Sequence, residues 1–196
     1  MGVVIPAIGK ERLGEYASIP IVCDVRSILG VEEIAGGLGG LAFTERAVRP
    51  YRKDYDACAD GGPLRWPSRF DISQWGLFLA CEGDEVVGGA AVAWNAQGVC
   101  MLEGRSDLAV LWDIRVRAQS QRQRVGTALF AHAASWALSK GCAYLKIETQ
   151  NVNVAACRFY ARMGCFLGGI DRLAYRSCPQ VADEVMLLWY LDLGKR

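Results

Sequence analysis

The chain has a single histidine, His132, and no Cys-x-x-Cys pair among its eight cysteines. Those cysteines stand at 23, 58, 81, 100, 142, 157, 165 and 178, no two nearer than eight residues. That spacing gives neither a zinc site nor a redox pair of the usual kind, and no metal is expected. Set inside apolar runs such as Phe78-Leu-Ala-Cys81, they read as small buried hydrophobes. An excess of one charge is also lacking. The 22 basic and 21 acidic side chains leave a net charge of +1, which steers the protein toward neither nucleic acid nor an acidic membrane. No run of 18 apolar residues occurs, and Lys10, Glu11, Arg12 and Glu15 break up the first 20. Neither a membrane span nor a signal peptide is expected, so the simplest location is cytoplasmic.

What is present suffices for one compact domain. The 196 residues are 52% hydrophobic and carry no repeat or low-complexity tract. A first strand is expected over 19–28, broken by the glycines of 30–40, with a second over 41–48. Residues 49–74 mix Pro50, Pro63 and Pro67 with Tyr51, Trp66 and Phe70 and with Asp54, Asp56, Asp60 and Asp71. Such a segment either lines an acceptor cleft or caps the sheet with its aromatics. A hairpin follows, 75–81 and 86–94, where Gly88-Gly89 signals a bulge or a close backbone approach. Strands are then expected over 99–103 and 109–116, pairing across a turn at 104–107. Two more are expected near the end, over 165–175 and 184–193. This C-terminal strand pair, with Trp189, Tyr190 and Leu191, offers a pairing surface for a homodimer.

The stretch from 111 to 164 organises the rest. An apolar strand enters the polar turn Arg117-Ala-Gln-Ser-Gln-Arg-Gln-Arg124 and continues into an amphipathic helix over 125–139. Leu129, Ala133, Trp136 and Ala137 form its apolar stripe, and Gly141 suits its C′ position. His132 falls between the stripe and the polar side and reads as structural. A helix start that follows a strand through a turn presents free N–H groups and the positive helix end to an anion. A strand over 143–148 and a helix near 153–163 complete a right-handed parallel unit, with ligands expected beyond the strands' carboxyl ends.

Gln121-Arg-Gln-Arg-Val-Gly126-Thr-Ala128 resembles the (Gln/Arg)-x-x-Gly-x-(Gly/Ala) loop of the GNAT superfamily of N-acetyltransferases, and Asn153-Val-Ala-Ala156-Cys-Arg-Phe-Tyr160-Ala-Arg-Met-Gly164 is similar to that family's Asn-x-x-Ala-x-x-x-Tyr-x-x-x-Gly segment. Leu111-Trp-Asp-Ile-Arg-Val116, Glu148-Thr-Gln150 and Leu167-Gly-Gly-Ile-Asp171 look like the streptothricin acetyltransferase branch. The resemblance covers roughly residues 75 to 191. It implies an α+β (α/β/α) fold, with a mixed sheet of six to seven strands splayed at the cofactor cleft and flanked by helices. The whole chain, 1–196, is then one acetyltransferase domain, in which 1–74 supply N-terminal strands and the acceptor side and 75–193 the cofactor-binding core. It further implies acetyl-CoA as co-substrate, with the pyrophosphate held by Gln121, Arg122, Arg124 and the amides of Val125, Gly126, Thr127 and Ala128. Arg117 would lie near the 3′-phosphate, and Asn153, Ala156 and the backbone of Ile114 and Val116 would complete the cofactor set. Arg124 stands where the family has its first loop glycine and is expected to adopt a conformation with φ below zero.

Acetyl transfer to an amine needs a proton acceptor, an acid for the leaving thiolate and an oxyanion donor. The resemblance gives the acid role to Tyr160, whose alternative is to pack under the pantetheine. Asp113, Glu148 and Glu103 remain open as base. Alternation places Asp113 on the face opposite Trp112 and Ile114. Asp113, Glu148, Asp171 and Trp112 are the candidates for binding a cationic acceptor. Cys157 lacks an activating base, so direct transfer is expected. The expected activity is N-acetylation of a small streptothricin-like amine. A protein or peptide N-acetyltransferase and a non-catalytic acyl-CoA-binding domain are the alternatives.

Overall fold

The computed structural model describes residues 2–57 and 62–194; Cys58 and Asp60 lie outside them. In chain order the elements are α1 (Leu13–Ala17), β1 (Val22–Glu33), β2 (Leu41–Asp54), α2 (Trp66–Arg69), β3 (Gly76–Glu82), β4 (Glu85–Ala93), β5 (Leu108–Val116), α3 (Val125–Ser139), β6 (Tyr144–Gln150), α4 (Val154–Arg162), β7 (Phe166–Asp171) and β8 (Met186–Asp192). Six strands form one mixed sheet in the order β3-β4-β5-β6-β8-β7, and β1 pairs with β2 in a second, two-stranded sheet. The β3–β4 and β4–β5 ladders are antiparallel and the β5–β6 ladder is parallel. The chain forms two compact units. One comprises residues 1–21, 54–147 and 190–196, the other 22–53 and 148–189.

The first unit is built on β4. Gly88 and Gly89 are adjacent and so face opposite sides of the sheet. A Cβ on Gly88 would lie 2.9 Å from a Leu129 methyl and 3.2 Å from a Val125 methyl, so bare backbone there lets the start of α3 settle onto the strand. One on Gly89 would lie 2.6 Å from the Tyr16 ring of α1 on the other side. The close approach read from this pair is therefore real twice over. Leu129, Phe130, Ala133, Ala134 and Ala137 are buried beneath α3, and each such Leu or Phe stabilises the fold by about 1.5–3 kcal/mol. Gly141 takes φ 80° just past the helix, in the C′ role its position predicts. The ring of His132 meets the Phe78 ring edge-on at 4.6 Å.

Three expectations about the early strands are corrected. β1 begins later than expected and runs through Gly30 to Glu33, because the missing Cβ leaves room for the Arg46 side chain from β2. β2 continues through Pro50 to Asp54. Residues 99–103 are not a strand. A 3-10 turn at Cys100–Leu102 closes locally through Leu102 N–H to the Val99 carbonyl at 3.0 Å. The edge of β5 that this segment was to occupy is taken by β4. In the 62–74 stretch Trp66 is buried and meets Tyr16 at 5.5 Å and Trp75 at 5.8 Å, the cap reading of those aromatics. No described helix is long and apolar enough to cross a membrane.

In the second unit, hydrogen bonds from Ile34 and Gly39 close the turn between β1 and β2. Ion pairs Arg158–Glu45, Arg172–Glu33 and Lys53–Glu184 tie β1 and β2 to α4 and to the segments after β7. β8 lies between β6 and β7, so among the described strands the open edge of this C-terminal pair is β7.

Candidate functional site

The β5–β6 ladder runs only from Leu108↔Tyr144 to Leu111↔Ile147. β5 continues to Val116, paired with β4 through Ile114↔Ala90 and Val116↔Gly88. Between those stretches the register slips: Ala91 opposes Asp113 while Val92 opposes Leu111, leaving Trp112 as the extra residue of a β-bulge. The bulge corrects the expected alternation. Trp112 packs against Phe70 at 5.1 Å and Trp75 at 5.3 Å, and Asp113 turns to the same aromatic side, where it reaches Tyr16.

Asp113 is fully engaged there. It accepts from Arg115 Nε at 2.9 Å and Nη2 at 2.6 Å and from the Tyr16 hydroxyl at 2.7 Å. Arg115 is itself buried, donates to the Ile19 carbonyl at 2.8 Å and to Asp56 at 3.1 Å, and lies 5.3 Å from the Tyr16 ring centre. Burial opposes the Arg115 charge, but the hydrogen bonds and charge of Asp113 outweigh it and hold the guanidinium pKa above its usual value. Burial first, then the Asp113 charge, push the Tyr16 phenol well up, so it stays a donor. Glu103 is likewise taken, by the buried Lys146 at 2.5 Å.

After β5 the chain turns through a 3-10 turn, Ala118–Ser120, into α3. Arg122 and Arg124 both have positive φ, 62° and 66°. The expectation of φ below zero at Arg124 is thus corrected. The turn that aims the loop backbone at the helix start requires a left-handed residue, and the chain meets that need without glycine. A left-handed side chain costs about 1–2 kcal/mol. Arg124→Gly should therefore raise stability by about 0.5–1 kcal/mol after the greater freedom of an unfolded glycine is counted. Thermal unfolding checks this: a Tm about 2–4 °C higher is expected, and a lower one would show that the guanidinium makes up for the strain.

Arg124 is also the N-cap of α3 and makes no side-chain cap bond. Ala128 N–H is spent on the Arg124 carbonyl at 2.9 Å, so its expected share in a phosphate cradle is corrected. The amides of Val125, Gly126 and Thr127 come before the first helical acceptor and have no partner among the described residues. Gln121 reaches only the Val116 carbonyl, at 3.5 Å, and the Arg122 and Arg124 side chains are exposed. Three unpaired N–H groups, a positive helix end and two arginines make an anion seat. Arg117 is not part of it, since it donates to the Val86 carbonyl at 2.6 Å and to Ser18 at 3.0 Å.

The second unit holds the other candidates. Asn153 caps α4 by accepting from Ala156 N–H at 3.1 Å, so both residues shape the helix start. Val154, Cys157 and Tyr160 are buried at three-residue steps along α4. Tyr160 stacks edge-on with Phe159 at 5.3 Å. Burial pushes the Cys157 thiol up, which disfavours a thiolate. Asp171 ends β7 and caps the next turn by accepting from Leu173 N–H at 2.8 Å. Glu148, half-buried on β6, takes the Tyr175 hydroxyl at 2.5 Å and the Gln150 amide at 3.3 Å on one oxygen, Oε1. Among the described residues Oε2 has no hydrogen-bond partner and no cation pairs with this carboxylate. Sequence reasoning missed Tyr175, Tyr16 and Lys146, each brought to its carboxylate by the fold alone. Arg115 had a signal, because two-residue spacing puts it on the face of Asp113.

Residues 43–165 match the acetyltransferase (GNAT) family. The chain is 35% identical to the streptothricin acetyltransferase of Escherichia coli, over 79% of this chain and 78% of that one. It is 30% identical to streptothricin acetyltransferase A of Bacillus subtilis (strain 168), over 74% and 76%. Among solved structures it is similar to a Bacillus anthracis str. Ames protein in complex with acetyl coenzyme A, with TM-score 0.76, 25% identity and 98% coverage of both chains.

Proposed function

The chain belongs to the acetyltransferase (GNAT) family, and from that membership we propose that it moves the acetyl group of acetyl-CoA to a primary amine of a small cationic acceptor of the streptothricin class. The start of α3 carries this reading. Its unpaired amides at Val125, Gly126 and Thr127, with Arg122 and Arg124 beside them, fit a pyrophosphate and leave its charge matched. Relatives named streptothricin acetyltransferase at 30–35% identity support the acceptor class. When bound, acetyl-CoA supplies the activated acyl carbon. Everything else is asked of side chains and backbone of this protein.

The acceptor nitrogen must lose a proton as the C–N bond forms. Glu148 is the candidate carboxylate with no cation on it and with a vacant oxygen, so it takes that proton on Oε2. Asp113 and Glu103 are held by Arg115 and Lys146 and serve as structure. As the C–S bond breaks, Tyr160 gives its phenolic proton to the thiolate. Ile114 and Val116, on the part of β5 beyond the β6 ladder, present backbone to the acyl oxygen. A cation of the acceptor finds Glu148 and Asp171 as counter-charges. The protein acts in the cytoplasm and needs no metal.

Release of CoA thiol with a panel of streptothricin, an aminoglycoside, spermidine and a lysine peptide tests the acceptor. Turnover with streptothricin at least tenfold above the others is expected. Turnover with the peptide alone would replace the acceptor class, and binding of acetyl-CoA without turnover on any amine would overturn the enzyme reading.

A further inference from the structure

Tyr175 lies in the irregular segment between β7 and β8, in no sequence motif, yet it makes the shortest neutral contact to Glu148. We infer that Tyr175 is a positioning residue for the base. Its hydroxyl occupies Oε1 of Glu148 and turns Oε2 toward the acceptor amine. The inference rests on the assignment of Glu148 as base. Three polar side chains, Glu148, Gln150 and Tyr175, meet within the second unit.

The Tyr175 hydroxyl donates to Glu148 Oε1 at 2.5 Å. Gln150, two residues along β6 and so on the same face, donates to the Tyr175 oxygen at 2.9 Å and to Oε1 at 3.3 Å. The donors thus converge on one carboxylate oxygen and fix the carboxyl plane. Without them a half-buried Glu samples several rotamers, and the base meets the amine in only some of them. Charged groups facing the phenol are Glu148 on β6 and Glu184 before β8, the latter held by Lys53 of β2. Burial, followed by the charge of Glu148, pushes the phenol pKa far up. Tyr175 therefore remains a donor at every working pH and does not compete as a base.

A residue that merely filled space would slow the enzyme whether or not the base is present. One that acts by aiming Oε2 has nothing left to aim once Glu148 is glutamine. Tyr175→Phe should therefore lower kcat roughly tenfold with KM for acetyl-CoA unchanged, and should change the rate of Glu148→Gln by less than about twofold. Gln150→Leu keeps Tyr175 in place and should lower kcat by less, again only while Glu148 is present. It stands in should Tyr175→Phe fail to fold by circular dichroism. If the variants that fold keep the parent's kcat, or slow Glu148→Gln as much as they slow the parent, the inference falls. If instead Glu148→Gln is as active as the parent, the base assignment falls and takes the inference with it. A dead Glu148→Gln beside a fully active Tyr175→Phe removes the inference alone.

Discussion

Glu148→Gln should lower kcat/KM at neutral pH by about 10²–10⁴, the usual contribution of a positioned acid or base, while acetyl-CoA binding is unchanged. An amine of lysine type has a pKa near 10.4, so at pH 7 only about one molecule in a few thousand is neutral. On the proposed assignment Glu148 lifts the dependence on free amine, because its second oxygen takes the proton of the bound ammonium as the C–N bond forms. Glutamine keeps the shape and the contact with Tyr175 but holds no proton acceptor of useful strength. The rate of the variant should then rise about tenfold per pH unit, following free amine. The parent should stay nearly flat over the same range. A variant within threefold of the parent at neutral pH would show that Glu148 is not the base. Tyr160→Phe tests the other proton in the same assay. It should slow turnover with an acceptor of high pKa while leaving CoA bound, and unchanged kcat would reduce Tyr160 to packing against the cofactor.

What could be read from the residues follows from how local each feature is. α3 was legible because its stripe and its terminating glycine are set within one segment, and the structure places the helix at Val125–Ser139 as read. The β3–β4 hairpin and the polar turn into the start of α3 were legible for the same reason. The bulge at Trp112 was not, since it is a slip in register between β4 and β5 and leaves no mark in either strand by itself. The roles of the carboxylates were hidden for a related reason. Asp113, Glu103 and Glu148 look alike in sequence. What separates them is a cation: Arg115, two residues on, holds Asp113, and Lys146, 43 residues away, holds Glu103, whereas Glu148 meets the Tyr175 phenol, 27 residues away. The conformation of Arg124 was misread because a loop closed by its two ends dictates φ more strongly than residue preference does.

The network behind the bulge should be the costliest place to cut. Arg115→Met is expected to lower the unfolding free energy by about 3–5 kcal/mol, as removal of one partner of a buried ion pair does. The Arg115 side chain is 2% exposed and that of Asp113 10%, so neither charge can turn to water when the other is lost. Asp113 would keep one hydrogen bond, from Tyr16, in place of three. The Ile19 carbonyl would lose its donor as well. Replacing both partners, as in Arg115→Met with Asp113→Leu, removes the stranded charge and should return most of the stability. Urea unfolding of the single and double variants separates the outcomes. If the double variant is as unstable as the single, the loss came from the packing of the long Arg115 side chain against Tyr16 rather than from an unpaired carboxylate. Activity per folded molecule adds a second reading. Asp113 stands beside Trp112, the extra residue of the slip in β5, so a double variant that folds but has lost kcat would mean that the pair shapes the strand as well as holding it.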